Sequence, residues 1–248
     1  MPDRFDAVTF DFWDTLCRAP DVTNARERRL GLLAELLADL TGDEPRSVDQ
    51  VEAGLRQVLA VFNQHWSENR QFTYIHAAPL LVDHLGLQLD QAGIDAVARA
   101  ISAEDSDHLP DLAPNVEVAL RALKDAGLRI GIICDVGLAP SRVLRRHLNR
   151  HGVLDLFDHW SFSDEVGHYK PAAEIFHHAL AGLGGIEPRR AAHVGDLRRT
   201  DIAGALAMGI TAVRYAGITD DPPEGPEPIE ADHVISDHAA LAPILLGG

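Results

Sequence analysis

The residues of this sequence that could do chemistry stand at or just beyond the ends of short apolar runs. They are Asp11, Thr15, Cys134, Asp135, Asp196 and Asp201, and Lys170 lies between another apolar run and the helix predicted after it. Carboxylate oxygens are the usual ligands of hard divalent cations, and a lysine beside a hydroxyl can bind an anion. If the fold brings these side chains together, they make a metal site next to an anion site.

The elements that would position these residues are predicted from the pattern of apolar side chains. Six short runs have the character of buried strands: DAVTFDF, RIGIIC, HWSFS, AAHVGD, TAVRYA and HVISD. Helical segments lie between them, among them NVEVALRALKDAG and PAAEIFHHALAGLG. Strands that alternate with helices predict an α/β fold with a Rossmann-like, doubly wound parallel sheet. Because the carboxyl ends of parallel strands lie on one edge of the sheet, we expect the chemical residues to converge there.

One long segment interrupts this alternation. From about residue 24 to about residue 106 the apolar residues recur at helical spacing, and no strand pattern occurs. Ser47 and Gln50 form a capping-box signature for one helix, and Asp90 is a candidate N-cap for another. The segment therefore predicts a bundle of helices.

The length of the chain allows for such an insertion. The sequence has 248 residues, 46% of them hydrophobic, which is enough for a core domain that carries a smaller one. We predict a small helical cap domain at residues 18–110, inserted into a core built from residues 1–17 and 111–248.

Charge and composition exclude several classes of partner. Lys and Arg number 22 against 38 Asp and Glu, and the net charge of −16 repels nucleic acid and anionic lipid surfaces. No apolar run approaches the length of a membrane span and no signal peptide is evident, which predicts a cytoplasmic protein. The two cysteines, Cys17 and Cys134, make no disulfide framework, and each is predicted to be a buried apolar residue.

The stretches that carry the polar residues are DFWDT, IICD, GHYKP and GDLRRTD, in this order along the chain. They resemble the four motifs of the haloacid dehalogenase-like (HAD) hydrolase superfamily. These motifs are Asp-x-Asp-x-Thr after the first strand, a small hydroxyl residue after the second, a lysine, and an acidic pair that follows a glycine. The resemblance extends from Asp11 to Asp201 on the expected elements. Many members also carry a helical cap between the first two motifs.

The resemblance implies a hydrolase with an aspartate nucleophile and a metal ion. Asp11 would attack a phosphoryl group and form an aspartyl-phosphate. A Mg²⁺ ion would be held by Asp11, Asp196 and the backbone carbonyl of Trp13, while Asp201 would act through water or orient its neighbours. The implied substrate is a small phosphorylated molecule.

The remaining motif residues would bind the phosphoryl oxygens. The resemblance gives this role to Thr15, Lys170 and the polar atoms around Cys134 and Asp135. Lys170 supplies positive charge, without which Asp11 would repel its substrate. Members normally have Ser or Thr in place of Cys134, and a thiol is a weak hydrogen-bond donor. The neighbouring backbone N–H groups would then carry more of the phosphate binding.

Trp13 and Asp14 depart from the family pattern. Counted from Asp11, Thr15 is in register with the family's threonine, so Trp13 stands at the position of the second aspartate and Asp14 at that of the usual glycine. In typical members the second aspartate protonates the leaving alcohol, which an indole cannot do. General acid–base catalysis contributes roughly 10²–10⁴-fold to the rate.

Several interpretations of this departure stay open. Asp14 is a possible substitute acid, although neighbouring side chains of an extended segment point to opposite faces, so this needs a tight turn. Alternatively, the substrate is an acyl or aryl phosphate, whose leaving group needs no proton. A dehalogenase-type hydrolase is also possible, since haloacid dehalogenases carry an aromatic residue here, but the acidic pair in GDLRRTD argues against it. The alternative from another class is a non-catalytic phosphate-binding relative, against which the nucleophile Asp11 argues.

Substrate contacts are predicted at Trp13, Arg70, Tyr74 and Arg198. Arg70 and Tyr74 belong to HWSENRQFTY, between two helices of the predicted cap, and Arg198 lies inside GDLRRTD. A solvated charge is the simpler interpretation of Arg198. His147 and His151 are four residues apart on a predicted helix but have no third ligand nearby, so we predict that they face solvent.

Overall fold

A computed structural model describes residues 5–18, 23–102 and 109–247, and its centre is a parallel sheet. The strands are β1 (Ala7–Phe10), β2 (Arg129–Cys134), β3 (His159–Phe162), β4 (Ala191–Gly195), β5 (Thr211–Tyr215) and β6 (His233–Ile235). They form one sheet in the order β3-β2-β1-β4-β5-β6, and every neighbouring pair is parallel. Each strand falls within one of the predicted runs, so the predicted α/β fold is confirmed.

The helices of the described chain follow the predicted alternation. They are α1 (Thr23–Thr41), α2 (Val48–Ser67), α3 (Tyr74–His84), α4 (Gln91–Ile101), α5 (Val116–Asp125), α6 (Ser141–Arg150), α7 (Ser163–Val166), α8 (Ala173–Gly182), α9 (Ala203–Met208) and α10 (Leu241–Leu246). The short helices α7 and α10 were not predicted. In the described part of the chain, no helix combines the length and the apolar composition needed to cross a membrane.

The central strand β1 brings three strand ends to the same level. All four residues of β1 are buried, as expected for a parallel strand covered on both faces. Its last residue, Phe10, pairs in register with Ile132 of β2 and Val194 of β4. The residues that follow β1, β2 and β4 therefore emerge next to one another at the carboxyl edge of the sheet.

Helices cover both faces of the sheet. Ile133 of β2 packs in an apolar cluster with Ile175 and Phe176 of α8. Its neighbour Ile132 points to the opposite face, because side chains alternate along a strand, and it is also fully buried. Helix α5 packs against β2 and α10, whereas α8 packs against β3 and α9.

The chain divides into two compact units. Among the described residues, the core unit comprises 5–18, 109–135 and 145–247 and contains the sheet. The helical unit comprises 23–102 and 136–144, so it contains α1 to α4 and the start of α6. The sequence analysis had assigned residues 136–144 to the core. The predicted junctions at 18 and 110 adjoin residues 19–22 and 103–108, which lie outside the described residues.

The helical unit has its own apolar core and the predicted helix caps. Its four helices contribute buried residues that include Leu37, Leu81 and Val97. The backbone N–H of Ser47 donates to Gln50 Oε1 at 2.9 Å, and Ser47 Oγ accepts from the backbone N–H of Gln50 at 3.2 Å. Asp90 Oδ1 accepts from the backbone N–H of Gly93 at 2.9 Å. Both predicted caps are therefore confirmed.

Candidate active site

Three buried aspartates meet at the carboxyl edge of the sheet. Asp11 directly follows β1, Asp196 directly follows β4, and Asp201 lies in the helical turn after it. One carboxylate oxygen from each residue lies within 4.8 Å of the other two. Among the described residues, no other group of three or more His, Cys, Asp or Glu side chains is close enough to share a metal ion. The three carboxylates converge as the parallel strands predict.

A buried lysine stands between two of these carboxylates. Lys170 Nζ donates to Asp11 Oδ1 at 2.5 Å and to Asp201 Oδ1 at 2.6 Å, and its side chain is 2% exposed. The backbone N–H of Lys170 donates to Asp135 Oδ1 at 2.8 Å. Because Asp135 follows β2, the end of that strand fixes the loop that carries the lysine.

The cluster has too little positive charge for its carboxylates. Three carboxylates and one ammonium leave a formal charge of −2 in a buried place. Burial, together with the charges of Asp201 and Asp11, raises the pKa of Asp196 to about 9. Burial also raises the pKa of Asp11 to about 7, although Lys170 opposes the shift. At Asp201 burial also acts to raise the pKa, but Lys170 and His193 outweigh it and lower the pKa of that carboxyl below its usual range. Carboxylate oxygens with such an excess of negative charge are compatible with a bound divalent metal ion.

Asp201 accepts hydrogen bonds on both of its oxygens. Oδ1 accepts from Lys170 Nζ and from His193 Nε2, the latter at 3.1 Å. Oδ2 accepts from the backbone N–H of Leu197 at 3.1 Å and from the hydroxyl of Thr200 at 3.3 Å. A carboxylate has about four lone-pair positions, which these four donors occupy. Asp201 is therefore held firmly in place by its own surroundings.

His193 belongs to this cluster, and the sequence analysis missed it. It lies in β4, is fully buried and pairs in register with Thr9 of β1. His193 Nδ1 lies 2.9 Å from Thr9 Oγ1. Burial lowers the pKa of His193, although the hydrogen bond to Asp201 opposes the shift. In the sequence the one signal was a polar residue inside the apolar run AAHV.

Gly195 lets the Asp201 carboxylate lie against the end of β4. A Cβ atom at residue 195 would stand 2.3 Å from Asp201 Cγ and 2.4 Å from Asp201 Cβ. These separations are far inside van der Waals contact. The glycine that precedes Asp196 is therefore required by the approach of the second acidic side chain.

Gly195→Ala is expected to destabilise the protein by about 1–3 kcal/mol, because the methyl group must push Asp201 away from Lys170 and His193. Urea unfolding followed by circular dichroism measures the change. The matched control is Gly31→Ala in α1, where an added Cβ meets nothing within 4 Å. That control is expected to gain about 0.5–1 kcal/mol from helix propensity. Equal stability of Gly195→Ala and the wild type would contradict the close approach.

Thr15 and Cys134 are also buried in the core unit. Thr15 Oγ1 has no hydrogen-bond partner among the described residues, and an unpaired buried hydroxyl costs about 1–3 kcal/mol. Cys134 Sγ lies 3.6 Å from the carbonyl oxygen of Asp135, and burial raises the pKa of its thiol well above the usual range. Burial likewise raises the pKa of Cys17 to about 12. Both cysteines are free and buried, as predicted.

The sequence from residue 5 to residue 209 matches the pattern of haloacid dehalogenase-like hydrolases. This stretch contains every residue of the cluster described above and most of the chain. The chain belongs to the haloacid dehalogenase-like hydrolase family. The predicted superfamily and the predicted class of enzyme, a hydrolase, are thereby confirmed.

Two relatives and one solved structure give the extent of the likeness. The chain is 32% identical over 239 residues to ribulose-1,5-bisphosphate 5-phosphatase of Halopiger xanaduensis, which covers 94% of this chain and 92% of that protein. It is 32% identical over 155 residues to haloacid dehalogenase-like hydrolase domain-containing protein 3 of Bos taurus, covering 60% of this chain and 58% of that protein. The crystal structure of a HAD phosphatase from Thermococcus onnurineus matches with a TM-score of 0.66 at 26% identity, covering 98% of this chain and 99% of that one.

This haloacid dehalogenase-like hydrolase makes a tight turn after β1. The carbonyl oxygen of Phe12 accepts from the backbone N–H groups of Leu16 and Cys17, both at 2.9 Å. Asp14 has a φ of 52°, in the left-handed region that glycine favours and that aspartate tolerates better than most residues. The left-handed conformation explains why the family resemblance places glycine at this position. The assumption of an extended segment, which argued against Asp14 as an acid, is therefore wrong.

Trp13 is half-buried between two other rings. Its ring lies edge-on to Phe12, with centroids 4.8 Å apart, and edge-on to His147 at 6.5 Å. His147 is 6% exposed, so the prediction that it faces solvent is wrong. His151 is half-buried with Nε2 2.7 Å from the carbonyl oxygen of Pro110, so the same prediction does not hold there either.

Arg198 is paired and largely buried, which the interpretation as a solvated charge did not foresee. Its side chain is 12% exposed, and Nη2 donates to Glu230 Oε2 at 2.8 Å. Glu230 Oε1 also accepts from Arg214 Nε at 2.9 Å. The Nε and Nη1 atoms of Arg198 are buried without a hydrogen-bond partner among the described residues. The guanidinium group therefore has donors left over for another acceptor.

Arg70 and Tyr74 belong to the helical unit and have partners there. Arg70 is exposed and pairs with Glu68, with 2.5 Å between Nη2 and Oε2. The hydroxyl of Tyr74 accepts from Arg142 Nη1 at 3.1 Å, and the Arg142 guanidinium carbon lies 5.0 Å from the centre of the Tyr74 ring. An arginine on an aromatic ring adds a positive charge to this part of the helical unit.

Proposed function

We propose that this chain is a Mg²⁺-dependent phosphatase of small phosphorylated molecules, with Asp11 as its nucleophile. The observation that carries the proposal is the place of Asp11, which follows β1, is buried and has Lys170 Nζ at 2.5 Å from Oδ1. The ammonium group offsets the negative charge that would otherwise repel a phosphate from this carboxylate. Attack by a carboxylate oxygen on phosphorus would form an aspartyl-phosphate and release the alcohol, and water would then hydrolyse the intermediate.

The residues of the cluster fit a Mg²⁺ ion. Mg²⁺ takes oxygen ligands, and its charge of +2 balances the formal charge of −2 on the three carboxylates and one ammonium. Asp11, Asp196 and the backbone carbonyl of Trp13 would hold the ion. Asp201, whose lone-pair positions are occupied, would orient Lys170. When bound, the ion supplies positive charge beside the transferring phosphoryl group.

The phosphoryl oxygens would be bound by Thr15, by Lys170 and by backbone N–H groups near Cys134. Thr15 Oγ1 is buried and lacks a partner among the described residues, so a ligand oxygen would satisfy it. Lys170 supplies the positive charge, and Asp135 fixes its backbone. Cys134 stays protonated and is a weak donor, so nearby backbone N–H groups would complete the binding.

Protonation of the leaving group is the step for which this chain lacks the usual residue. Asp14 is one candidate substitute, because the tight turn after β1 replaces the extended segment that would have directed its side chain away. Its charge also contributes to the raised pKa of Asp196, so it acts on the cluster electrostatically. The alternative is a substrate with an aryl or acyl leaving group, which needs no proton.

The substrate class follows from the family and from the chain's own arginines. The relative from Halopiger xanaduensis carries the name of a ribulose-1,5-bisphosphate 5-phosphatase, which favours a small sugar phosphate. The two unpartnered N–H groups of Arg198 suit an anionic group of such a molecule. We propose Trp13, Arg70 and Tyr74 as further contacts. The two free buried cysteines are consistent with a reducing location such as the cytoplasm.

Hydrolysis of para-nitrophenyl phosphate by the wild-type protein is expected to need Mg²⁺. EDTA should lower the rate by at least about 10²-fold, since a bound metal ion contributes several kcal/mol to stabilising the transition state. The aryl leaving group hardly needs an acid, so Trp13 does not limit this assay. Release of para-nitrophenol is followed by absorbance, and addition of excess Mg²⁺ to the EDTA-treated protein should restore it.

Other outcomes would favour the other functions. Turnover that EDTA leaves unchanged would contradict the metal requirement. Release of halide from a 2-haloacid without metal, and no release of phosphate from phosphate esters, would identify a dehalogenase-type hydrolase. Binding of inorganic phosphate in calorimetry, with no turnover of any phosphate ester, would identify a non-catalytic phosphate-binding relative.

A further inference from the structure

We propose that His193 is a positioning residue, which holds the Asp201 carboxylate in the orientation that places Lys170 against Asp11. The proposal rests on the proposed function for its catalytic effect. Five side chains form a continuous hydrogen-bonded chain through the core unit: Thr9, His193, Asp201, Lys170 and Asp11. This hydrogen-bonded chain of side chains begins inside the sheet and ends at the nucleophile.

The backbone fixes the first half of this chain. Thr9 and His193 are register partners on adjacent strands, so their side chains stand on the same face of the sheet. His193 is fully buried, and the ring of Phe176 lies edge-on to it with centroids 5.4 Å apart. The imidazole therefore cannot turn away from Asp201 without breaking the packing of α8 on the sheet.

The partners of the imidazole determine which nitrogen carries the proton. An ionised carboxylate accepts hydrogen bonds and donates none, so the nitrogen at 3.1 Å from Asp201 Oδ1 must be Nε2–H. In a neutral ring the other nitrogen, Nδ1, is then an acceptor. Thr9 Oγ1 lies 2.9 Å from Nδ1 and 3.3 Å from the carbonyl oxygen of Ala192, so its hydroxyl donates to Nδ1 as the nearer acceptor. Thr9 thus supports the tautomer that can hold Asp201.

The second half of the hydrogen-bonded chain links the bond between His193 and Asp201 to catalysis. His193 Nε2 and Lys170 Nζ donate to the same atom, Asp201 Oδ1. If His193 is lost, Oδ1 keeps one donor, and the carboxylate can rotate and draw Lys170 with it. Lys170 Nζ would then no longer offset the charge of Asp11 at the point where a phosphoryl group must approach.

The test compares two substitutions that separate hydrogen bonding from packing. His193→Gln keeps an N–H donor at about the reach of Nε2, whereas His193→Leu fills the apolar space but donates nothing. We expect His193→Leu to lower kcat/KM for para-nitrophenyl phosphate by about 10–100-fold, as for other partners of metal-site carboxylates. His193→Gln should stay within about 5-fold of the wild type. A purely structural role would reverse this order, and equal activity of His193→Leu and the wild type would overturn the proposal.

A second pair of variants tests the tautomer. Thr9→Ser keeps the hydroxyl donor to Nδ1 and should retain activity, while Thr9→Val removes it and should reduce kcat/KM in the same direction as His193→Leu. In the wild type, ¹H–¹⁵N spectra of histidine-labelled protein should show His193 with the proton on Nε2. A proton on Nδ1 would overturn the proposal.

Failure of the proposed function would be recognised separately. The spectra test the hydrogen bond in a protein that turns over no phosphate ester at all. Calorimetry with inorganic phosphate and Mg²⁺ adds a second readout without turnover. We expect His193→Leu to weaken phosphate binding about 10-fold and His193→Gln to preserve it, because Lys170 binds phosphate only from its held position. Equal binding by both variants would overturn the link from His193 to Lys170.

Discussion

Asp11→Asn is expected to abolish hydrolysis of para-nitrophenyl phosphate, with kcat lowered by more than about 10³-fold. An amide is not a nucleophile toward phosphorus, so no aspartyl-phosphate can form. The loss should not come from unfolding, because the amide oxygen can still accept from Lys170 Nζ. Acid quench followed by intact-mass spectrometry measures the chemistry directly, since the wild type should carry one phosphoryl adduct during turnover and the variant none.

The stability of the same variant has a pH dependence that tests the burial of Asp11. Burial raises the pKa of this carboxyl from 3.8 to about 7, so the folded metal-free protein binds the proton more tightly than the unfolded chain. Its contribution to stability is present at low pH and is lost as the pH rises through 7. Asp11→Asn lacks this loss, so above pH 7 without metal it should unfold at a higher temperature than the wild type.

The control for Asp11→Asn is Asp83→Asn, the same change at an exposed position of α3. Asp83→Asn should keep full activity and an unchanged melting temperature. Retained turnover in Asp11→Asn would remove the nucleophile from the proposal. A melting temperature of Asp11→Asn below that of the wild type across the whole pH range would contradict the excess of negative charge in the cluster.

The sequence was sufficient to predict the positions at which strands end. Asp11, Asp135 and Asp196 each follow a short, largely apolar run, and such runs are signals of buried parallel strands. Once the strands are parallel, these residues share one edge without any further information. The caps at Ser47 and Asp90 were also predictable, because a helix cap depends on residues that are near in sequence.

Features that depend on contacts distant in sequence could not be predicted. His193 is separated from Thr9 by 184 residues, and only the strand register brings them together. His147 was expected to face solvent because no third metal ligand lies near it in the sequence, yet it is buried and its ring lies 6.5 Å from that of Trp13. The left-handed conformation of Asp14 was not evident either, because aspartate adopts it only occasionally, whereas a glycine at this position would have indicated it. Arg198 similarly pairs with Glu230, which lies 32 residues further along the sequence.

In a wild type with no other proton donor for the leaving group, Trp13→Asp is expected to increase the hydrolysis of an alkyl phosphate such as glycerol 3-phosphate by about 10²–10⁴-fold, which is the usual contribution of a general acid. Residue 13 stands where the family resemblance places the residue that protonates the leaving alcohol, and an indole carries no proton to give. Hydrolysis of para-nitrophenyl phosphate should change much less, because its leaving group departs as a stable anion. Steady-state release of phosphate from both substrates measures the difference.

Trp13→Asn is the matched control, because it removes the same ring from its contacts with Phe12 and His147 but supplies no acid. A gain in Trp13→Asp that Trp13→Asn does not share therefore belongs to the carboxyl group and not to the space that the indole leaves.

If Asp14 already serves as the acid, the wild type will hydrolyse the alkyl phosphate well, Asp14→Asn will lose that activity, and Trp13→Asp will add little. If the natural substrate has an aryl or acyl leaving group, Asp14→Asn will be neutral and Trp13→Asp will show the full gain. The ratio of alkyl to aryl rates in these three variants thus determines how this chain manages without the second aspartate.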